Sequence, residues 1–375
     1  MLIVARKNLF HERIRLAISV GGVAVSVFLI GILLSLYRGW NEKVGEYVED
    51  VPADLWVASE GATDFIQAAS ILPENVGTQL DLLPEVETVS PLIVRPMEVV
   101  KSGDPPGEKF EMQLVGYDPA IGLGGPPRVV EGKSPPGPGE IVIDEAMAQR
   151  RGIAIGDRLM SGARSLTVVG KSAGGDFVFT QVTFVTLATA EEFLGMQPNL
   201  QRTFFLVKMQ DPSQKGILQA RLEANSTGVA LFTGRQFADE TRQRLLGNIL
   251  PMLIVVLIVA FTVGLSVAGL TIYTATVERT REYGVLKAEG FTNLFLYRVV
   301  FEQSVVTSIL GFIVGAGLTV LLAPFAQDIV PQFVVLVRWQ DVAAIAVATL
   351  LMALIASYIP IRRIARIDPV VVFKG

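Results

Sequence analysis

Four long stretches of this chain carry no charge at all, and they flank a block of ordinary mixed polarity. Residues 16–37, 249–277, 303–327 and 342–361 contain no Asp, Glu, Lys or Arg. Crossing a hydrocarbon core takes about 20 helical residues, and each stretch is long enough. The pattern predicts four membrane spans, at 16–37, 249–273, 299–323 and 342–361. Residues 38–248 lie between the first span and the second. A cleaved signal peptide does not fit the first span, because its apolar run is too long. It is followed by Tyr37-Arg-Gly-Trp40 rather than a small-residue cleavage site.

Basic residues in the short flanks set the orientation. Arg6, Lys7, Arg13 and Arg15 precede the first span, Arg279, Arg281, Lys287 and Arg298 fall in the 274–298 loop, and Arg362, Arg363, Arg366 and Lys374 close the chain. The 324–341 loop has only Arg338. Segments 1–15, 274–298 and 362–375 are therefore expected in the cytoplasm and 38–248 outside, with Trp40 and Trp339 at the outer interface.

Within 38–248 the patterning turns mixed. Strands are predicted at 55–58, 86–94 (closed by Pro91 and Pro96), 203–209 and 228–232, with helices at 74–83 and 212–224. Two strand–helix–strand units thus bracket the block as halves of a four-stranded, two-helix layer. Residues 101–195 differ in texture, with Gly/Pro-rich turns such as Asp104-Pro-Pro-Gly107 and Ser134-Pro-Pro-Gly-Pro-Gly139 between short β runs. They read as a mostly-β insert, with strands at 140–144, 166–169 and 182–187 and a short helix at 145–151. Residues 233–247 form a polar helix aimed at the second span, expected to continue into it as one stalk. The fold class is an α-helical membrane protein with four transmembrane helices plus an α+β extracytoplasmic domain between the first and second spans.

Composition sharpens this picture. The chain of 375 residues is 51% hydrophobic and 18% charged, which is too apolar for an ordinary soluble domain. Cys is absent, so the outer domain must be held by its own core. A net charge of -4 gives no reason to expect nucleic acid. Gly132-Lys-Ser134 and Gly170-Lys-Ser172 lack the preceding Gly of a phosphate loop, having Pro127 and Ser165 there, and are read as turns. The single His11 sits at the start of the first span and argues against a zinc centre. Asp144-Glu145 and Glu191-Glu192 are read as helix-start carboxylates. No catalytic constellation, cofactor site or metal site emerges, so the chain is expected not to be an enzyme. The uncharged stretches hold none of the ionisable residues that ion-driven carriers place in the bilayer. Gly264, Gly311 and Gly315 stand among small residues spaced by four, which suits close helix packing within one subunit or between two.

The segment 276–291, charged and helix-forming between two apolar spans, carries the most information. Glu278-Arg-Thr-Arg-Glu282, Gly284-Val-Leu-Lys-Ala288 and Gly290 resemble the cytoplasmic loop of FtsX/MacB-type (type VII) ABC transporter permeases. Arg362-Arg-Ile-Ala-Arg-Ile-Asp-Pro369 resembles the C-terminal signature of that family. Gly139-Glu-Ile-Val-Ile-Asp-Glu145 with Gly152-Ile-Ala-Ile-Gly-Asp157 resembles its MacB-like periplasmic core domain. Tyr283 and Glu289 depart from the family pattern. Glu282-Tyr-Gly-Val-Leu-Lys-Ala288, followed by Phe291-Thr292, is closest to the DevC-like branch.

The resemblance implies a homodimeric permease of the bacterial inner membrane, with both termini cytoplasmic, working with a separate ABC ATPase dimer that binds ATP and Mg. By analogy 278–291 is the coupling helix. Val285, Leu286 and Phe291 would offer apolar contacts, and Glu278, Arg279, Arg281, Glu282, Tyr283 and Lys287 would complete the docking face, with charge setting register. Gly284 and Gly290 are expected to let the segment turn. The expected function is mechanotransmission that exports or hands over a hydrophobic or amphiphilic cargo, among membrane lipids. The family leaves open a periplasmic adaptor and an outer-membrane duct. An FtsX-like complex that activates an extracytoplasmic hydrolase without transport is the alternative.

Overall fold

The computed structural model describes residues 13–66, 70–103, 108–225, 228–329 and 334–365. His11, Arg6, Lys7, the Asp104-Pro-Pro-Gly107 turn and the Arg366-Ile-Asp-Pro369 end of the basic tail fall outside the described residues. The chain divides into two units, residues 1–39 with 249–375 and residues 40–248.

The second unit is built on one ten-stranded sheet. Its strands are β1 (Leu55–Ser59), β3 (Val86–Lys101), β4 (Phe110–Tyr117), β5 (Arg128–Gly132), β6 (Glu140–Asp144), β7 (Arg158–Ser161), β8 (Arg164–Ala173), β9 (Val182–Thr186), β11 (Phe204–Met209) and β12 (Val229–Phe232). A separate ribbon pairs β2 (Leu72–Pro73) with β10 (Gln201–Arg202). The large sheet runs β12-β1-β11-β3-β4-β9-β6-β8-β5, with β7 beside β3 and β8. Its first four strands are all antiparallel and carry α2 (Glu74–Asp81) and α5 (Lys215–Asn225) as the crossovers of two strand–helix–strand units. This is the expected four-stranded, two-helix layer.

The insert between the two halves adds α3 (Glu145–Arg151) and α4 (Leu187–Leu194). It forms no separate sheet but extends the same one through β3, whose 16 residues pair first with β11 and then with β4. Pro91 and Pro96 therefore do not close this strand. Pro91 falls where only the β11 edge is paired and Pro96 where only the β4 edge is, so neither missing N–H leaves a gap in a ladder. Gly170-Lys-Ser172 is likewise no turn; it lies inside β8 and pairs with β5 and β6. Gly132 closes β5 with φ 84°.

Local chemistry fixes the helix ends. Asp144 caps α3 through Ala146 N–H, and the helix stops at Gly152, φ 60°. Thr186 caps α4 and Gly195, φ 68°, ends it. Glu191 and Glu192 therefore sit inside α4 rather than at its start. Thr233 and Gln236 form a reciprocal capping box at the start of α6 (Gly234–Leu246).

Strand alternation separates two cores. Leu55, Val57, Phe205 and Val207 point to the α2/α5 side, with Leu80 and Leu218 beneath them. Trp56 and Phe204 belong to the opposite face, where Phe237 of α6 packs at 5.2 and 5.3 Å between ring centroids. In the insert, Ile93, Leu114, Ile141, Leu159, Val168 and Val185 form a further core.

The first unit holds helices long and apolar enough to cross a membrane. They are α1 (Arg13–Asp50), α7 (Leu250–Glu278), α9 (Asn293–Ile329) and α10 (Trp339–Ala365), with the short α8 (Thr280–Ala288) between α7 and α9. Helix α1 runs unbroken past the first span into the second unit, where Tyr47 is fully buried. Its ring packs on Phe65 and Phe184, and its hydroxyl donates to Gly124 O at 2.7 Å. The expected single stalk from residue 233 into the second span is not formed. Helix α6 ends at Leu246, three turn residues follow, and α7 starts at Leu250 with Pro251 in its first turn. Proline has no N–H to bond back to Gly247, which explains the interruption. The unbroken helix is α1.

Candidate coupling segment

The segment between the second and third spans folds as a short helix held by specific end chemistry. Helix α7 closes at Glu278, and Arg279 (φ -94°, ψ 15°) leaves helical geometry while its N–H still bonds Ala275 O at 3.3 Å. Thr280 opens α8, its hydroxyl donating to Val277 O at 2.6 Å. At the other end Phe291 N–H bonds Leu286 O, Gly290 N–H bonds Lys287 O, and Gly290 adopts φ 94°. These are the paired bonds of a Schellman stop, which needs a left-handed residue and so selects glycine. Gly290 supplies the expected turn. Gly284 does not: it lies buried in the middle of α8.

Helix α8 has a clear inside. Tyr283, 5% exposed, joins a buried cluster with Ile272 of α7, Leu296 and Val300 of α9 and Ile364 of α10. Burial raises its phenol pKa; Arg279 opposes that shift and Glu282 adds to it. Leu286 is half-buried against the same cluster. Arg281, Glu282, Val285, Glu289 and Phe291 are exposed, and the Phe291 ring tilts against Phe295 at 4.8 Å.

Two of the expected docking charges are engaged inside the chain. The Lys287 ammonium donates to Ile364 O at 2.8 Å and Ala365 O at 3.3 Å, capping the end of α10. These bonds use two of the three N–H donors of Lys287. Glu278 forms an ion pair with Arg15 of α1 at 2.6 Å. The residues thus sort into anchors (Glu278, Tyr283, Leu286, Lys287), a stop (Gly290) and an outward surface (Arg281, Glu282, Val285, Phe291). Sequence reasoning missed that Tyr283 is the anchor, and nothing in the sequence around it marks it as buried.

The glycines expected to pack helices do so within this chain. A methyl group added at Gly264 would lie 2.6 Å from Ser26 Oγ. At Gly311 it would lie 2.5 Å from a Val23 methyl, and at Gly315 2.5 Å from Ala24 O. All three glycines hold their own helix against α1. Ser304 Oγ of α9 donates to Ala353 O of α10 at 2.7 Å. Near the other end of the spans, Arg38 makes a two-pronged ion pair with Asp341, both contacts at 2.6 Å. Among the described residues no group of three or more His, Asp or Glu side chains could hold a metal ion.

Comparison with known proteins matches residues 16–225 to the MacB-like periplasmic core domain and residues 253–369 to the FtsX-like permease C-terminal family. Neither match separates a DevC-like branch. An uncharacterized ABC transporter permease of Mycobacterium tuberculosis (strain ATCC 25618 / H37Rv) is 25% identical over 380 residues, covering all of both chains. An uncharacterized ABC transporter permease of Methanocaldococcus jannaschii is 24% identical over 151 residues, 39% of this chain and 38% of that one. Among solved structures, the periplasmic region of MacB from Actinobacillus actinomycetemcomitans aligns with a TM-score of 0.37 at 14% identity. It covers 54% of this chain and 97% of that one. The extracellular domain of the Gram-positive transporter YknZ aligns with a TM-score of 0.36 at 16% identity, over 48% and 99%.

Proposed function

Because the chain belongs to the family of ABC transporter permeases that join a MacB-like periplasmic core domain to an FtsX-like permease region, we propose that it is the non-catalytic lever of such a transporter. A separate ATPase dimer binds ATP and Mg, and its closure moves α8. Two copies of this chain frame the transport path in the bacterial inner membrane, with both termini in the cytoplasm. The cargo is hydrophobic or amphiphilic and leaves on the outer side.

The observation that supports this reading is the two-sided build of α8. Its inner face, through Tyr283 and Lys287, is tied to α7, α9 and α10 at once. Its outer face offers Glu282, Val285 and Phe291. A push on the outer face therefore reaches three spans without an intervening flexible joint. Helix α1, continuous from the first span to Tyr47 in the outer domain, supplies a backbone route for that motion.

The test is substitution on the outward face. Leu286→Asp would disturb the packed cluster and is unsuitable, whereas Glu282→Lys and Val285→Asp alter exposed positions. Each is expected to cut copurification with the ATPase and cargo-stimulated hydrolysis severalfold at unchanged permease abundance. Unchanged values for both variants would remove the coupling role.

A further inference from the structure

The ten-stranded sheet ends in two unlike edges. At one end β5 pairs with β8 through a bulge between Val129 and Glu131, and the Glu131 carboxylate meets Lys171 at 2.7 Å. Bulges and charges of this kind keep an edge from taking up another strand. At the other end β12 pairs with β1 in unbroken register and lines a groove of about 450 Å³ between α5 and α6. We propose that this groove takes an extended segment of a partner polypeptide, rich in Lys or Arg, as a further strand on β12. The inference does not rest on partnership with an ATPase.

Strand parity decides which backbone groups face the groove. Glu60 N–H donates to Gly228 O at 3.0 Å, so the alternate pairs Ala58–Ala230 and Trp56–Phe232 exchange the ladder bonds between β1 and β12. Ser59 N–H points the other way and bonds Ser70 Oγ at 2.8 Å. Val229 and Leu231 therefore turn their N–H and C=O groups away from β1. The Leu231 carbonyl accepts from the Gln219 amide of α5 at 3.0 Å, so a side chain stands where a partner strand's N–H would. Main-chain pairing along such an edge supplies affinity, and the walls supply the preference. Glu60 and Glu240 line the groove as exposed carboxylates without an ion pair, and among the described residues no Lys or Arg lines it. Basic residues at alternate positions of an added strand share one face and complement these carboxylates. A second copy of this chain is the poorer occupant. Paired edge to edge about a two-fold axis, it would bring its own Glu60 and Glu240 to the same groove, a like-charge arrangement that opposes association.

A fluorescein-labelled Lys-Val-Lys-Val-Lys peptide, titrated with the full-length permease in neutral detergent at low salt, tests this by fluorescence anisotropy. Wild type is expected to bind it saturably. The same peptide N-methylated on every backbone nitrogen keeps its charge but cannot donate to an edge, and is expected to bind about tenfold more weakly or worse. Changing Glu60→Gln and Glu240→Gln together is expected to cut affinity about fivefold, the contribution of two exposed ion pairs. Val229→Pro removes one outward N–H while leaving the β1 ladder intact, and is expected to cut affinity about tenfold. No saturable binding by wild type would overturn the proposal. So would equal binding of the methylated peptide, which would mark a site for cations alone, or undiminished affinity in the paired carboxylate variant or in Val229→Pro. A dimer that binds no peptide and that Val229→Pro converts to monomers would assign the edge to a second copy and overturn it as well.

Discussion

The most consequential single side chain outside the coupling segment is Arg202, only 2% exposed in the middle of the outer domain. Its guanidinium meets Glu191 of α4 at 2.7 Å, Glu74 of α2 at 2.8 Å and Asn199 Oδ1 at 3.0 Å. One buried cation thereby ties the four-stranded half to the insert. Removing Glu191, itself 7% exposed, would strand that charge, and breaking such a pair costs about 3–5 kcal/mol. Glu191→Ala should lower the denaturation midpoint of the detergent-solubilised protein strongly, followed by tryptophan fluorescence. Glu74→Ala, at a more open position, should lower it less. Glu191 read as a helix-start carboxylate in the sequence because nothing local distinguishes a capping acid from one that meets a partner eleven residues later across a turn. Asp144 offers a second test. Burial, reinforced by Asp176, pushes its pKa from 3.8 up to about 6, against the Ala146 and Gly175 N–H groups. A carboxyl whose folded pKa is raised favours the protonated native state. Its contribution is fully present below about pH 3.8 and is lost as pH rises through 6, about 3 kcal/mol in all. Asp144→Asn, which keeps the cap, should therefore gain stability relative to wild type at pH 7, and the gain should vanish by pH 4.

Among elements, the turn from α8 to α9 depends on Gly290 being left-handed. An alanine there carries about 1–2 kcal/mol of backbone strain. Gly290→Ala is expected to lower Tm modestly and to weaken ATPase coupling more than Gly290→Asn, since asparagine tolerates the left-handed region better. This element was legible in advance: charge between apolar spans marked it, and glycine marked its end. Its inside and outside were not, because a nine-residue helix rich in both charge and apolar groups gives no one-sided periodicity. The strands β1, β6 and β11 and the helices α3 and α6 were also readable, each bounded by a cap or a strong alternation. Strand β3 was misjudged at its prolines, since the sequence does not say which edge of a strand is paired. The break before α7 was misjudged because the polar helix and the apolar run abut in the sequence, while Pro251 withholds the N–H that would join them.

For the whole molecule, the order of one span, an outer domain and three further spans followed from hydropathy alone. Which helix bridges the two units did not, because α1 beyond Tyr37 is polar enough to pass for a loop. Val44, Tyr47 and Val48 show that this part is helical and buried against the outer domain. If α1 transmits motion, inserting two glycines after Gly39 should leave membrane insertion and ATPase copurification intact while abolishing cargo-stimulated hydrolysis. Retained stimulation would direct attention to the α6–α7 connection instead.

The long strand β3 has a practical consequence for recombination between relatives. Its first half completes the four-stranded layer and its second half founds the insert, so neither portion has an edge of its own at residue 92 or 93. A chimera that exchanges only residues 101–195 would seat a foreign β4 on a native β3 and mismatch the side-chain pairs between those two strands. Cutting in the 82–85 turn before β3 and again before β11 would move the exchanged module with its own template strand.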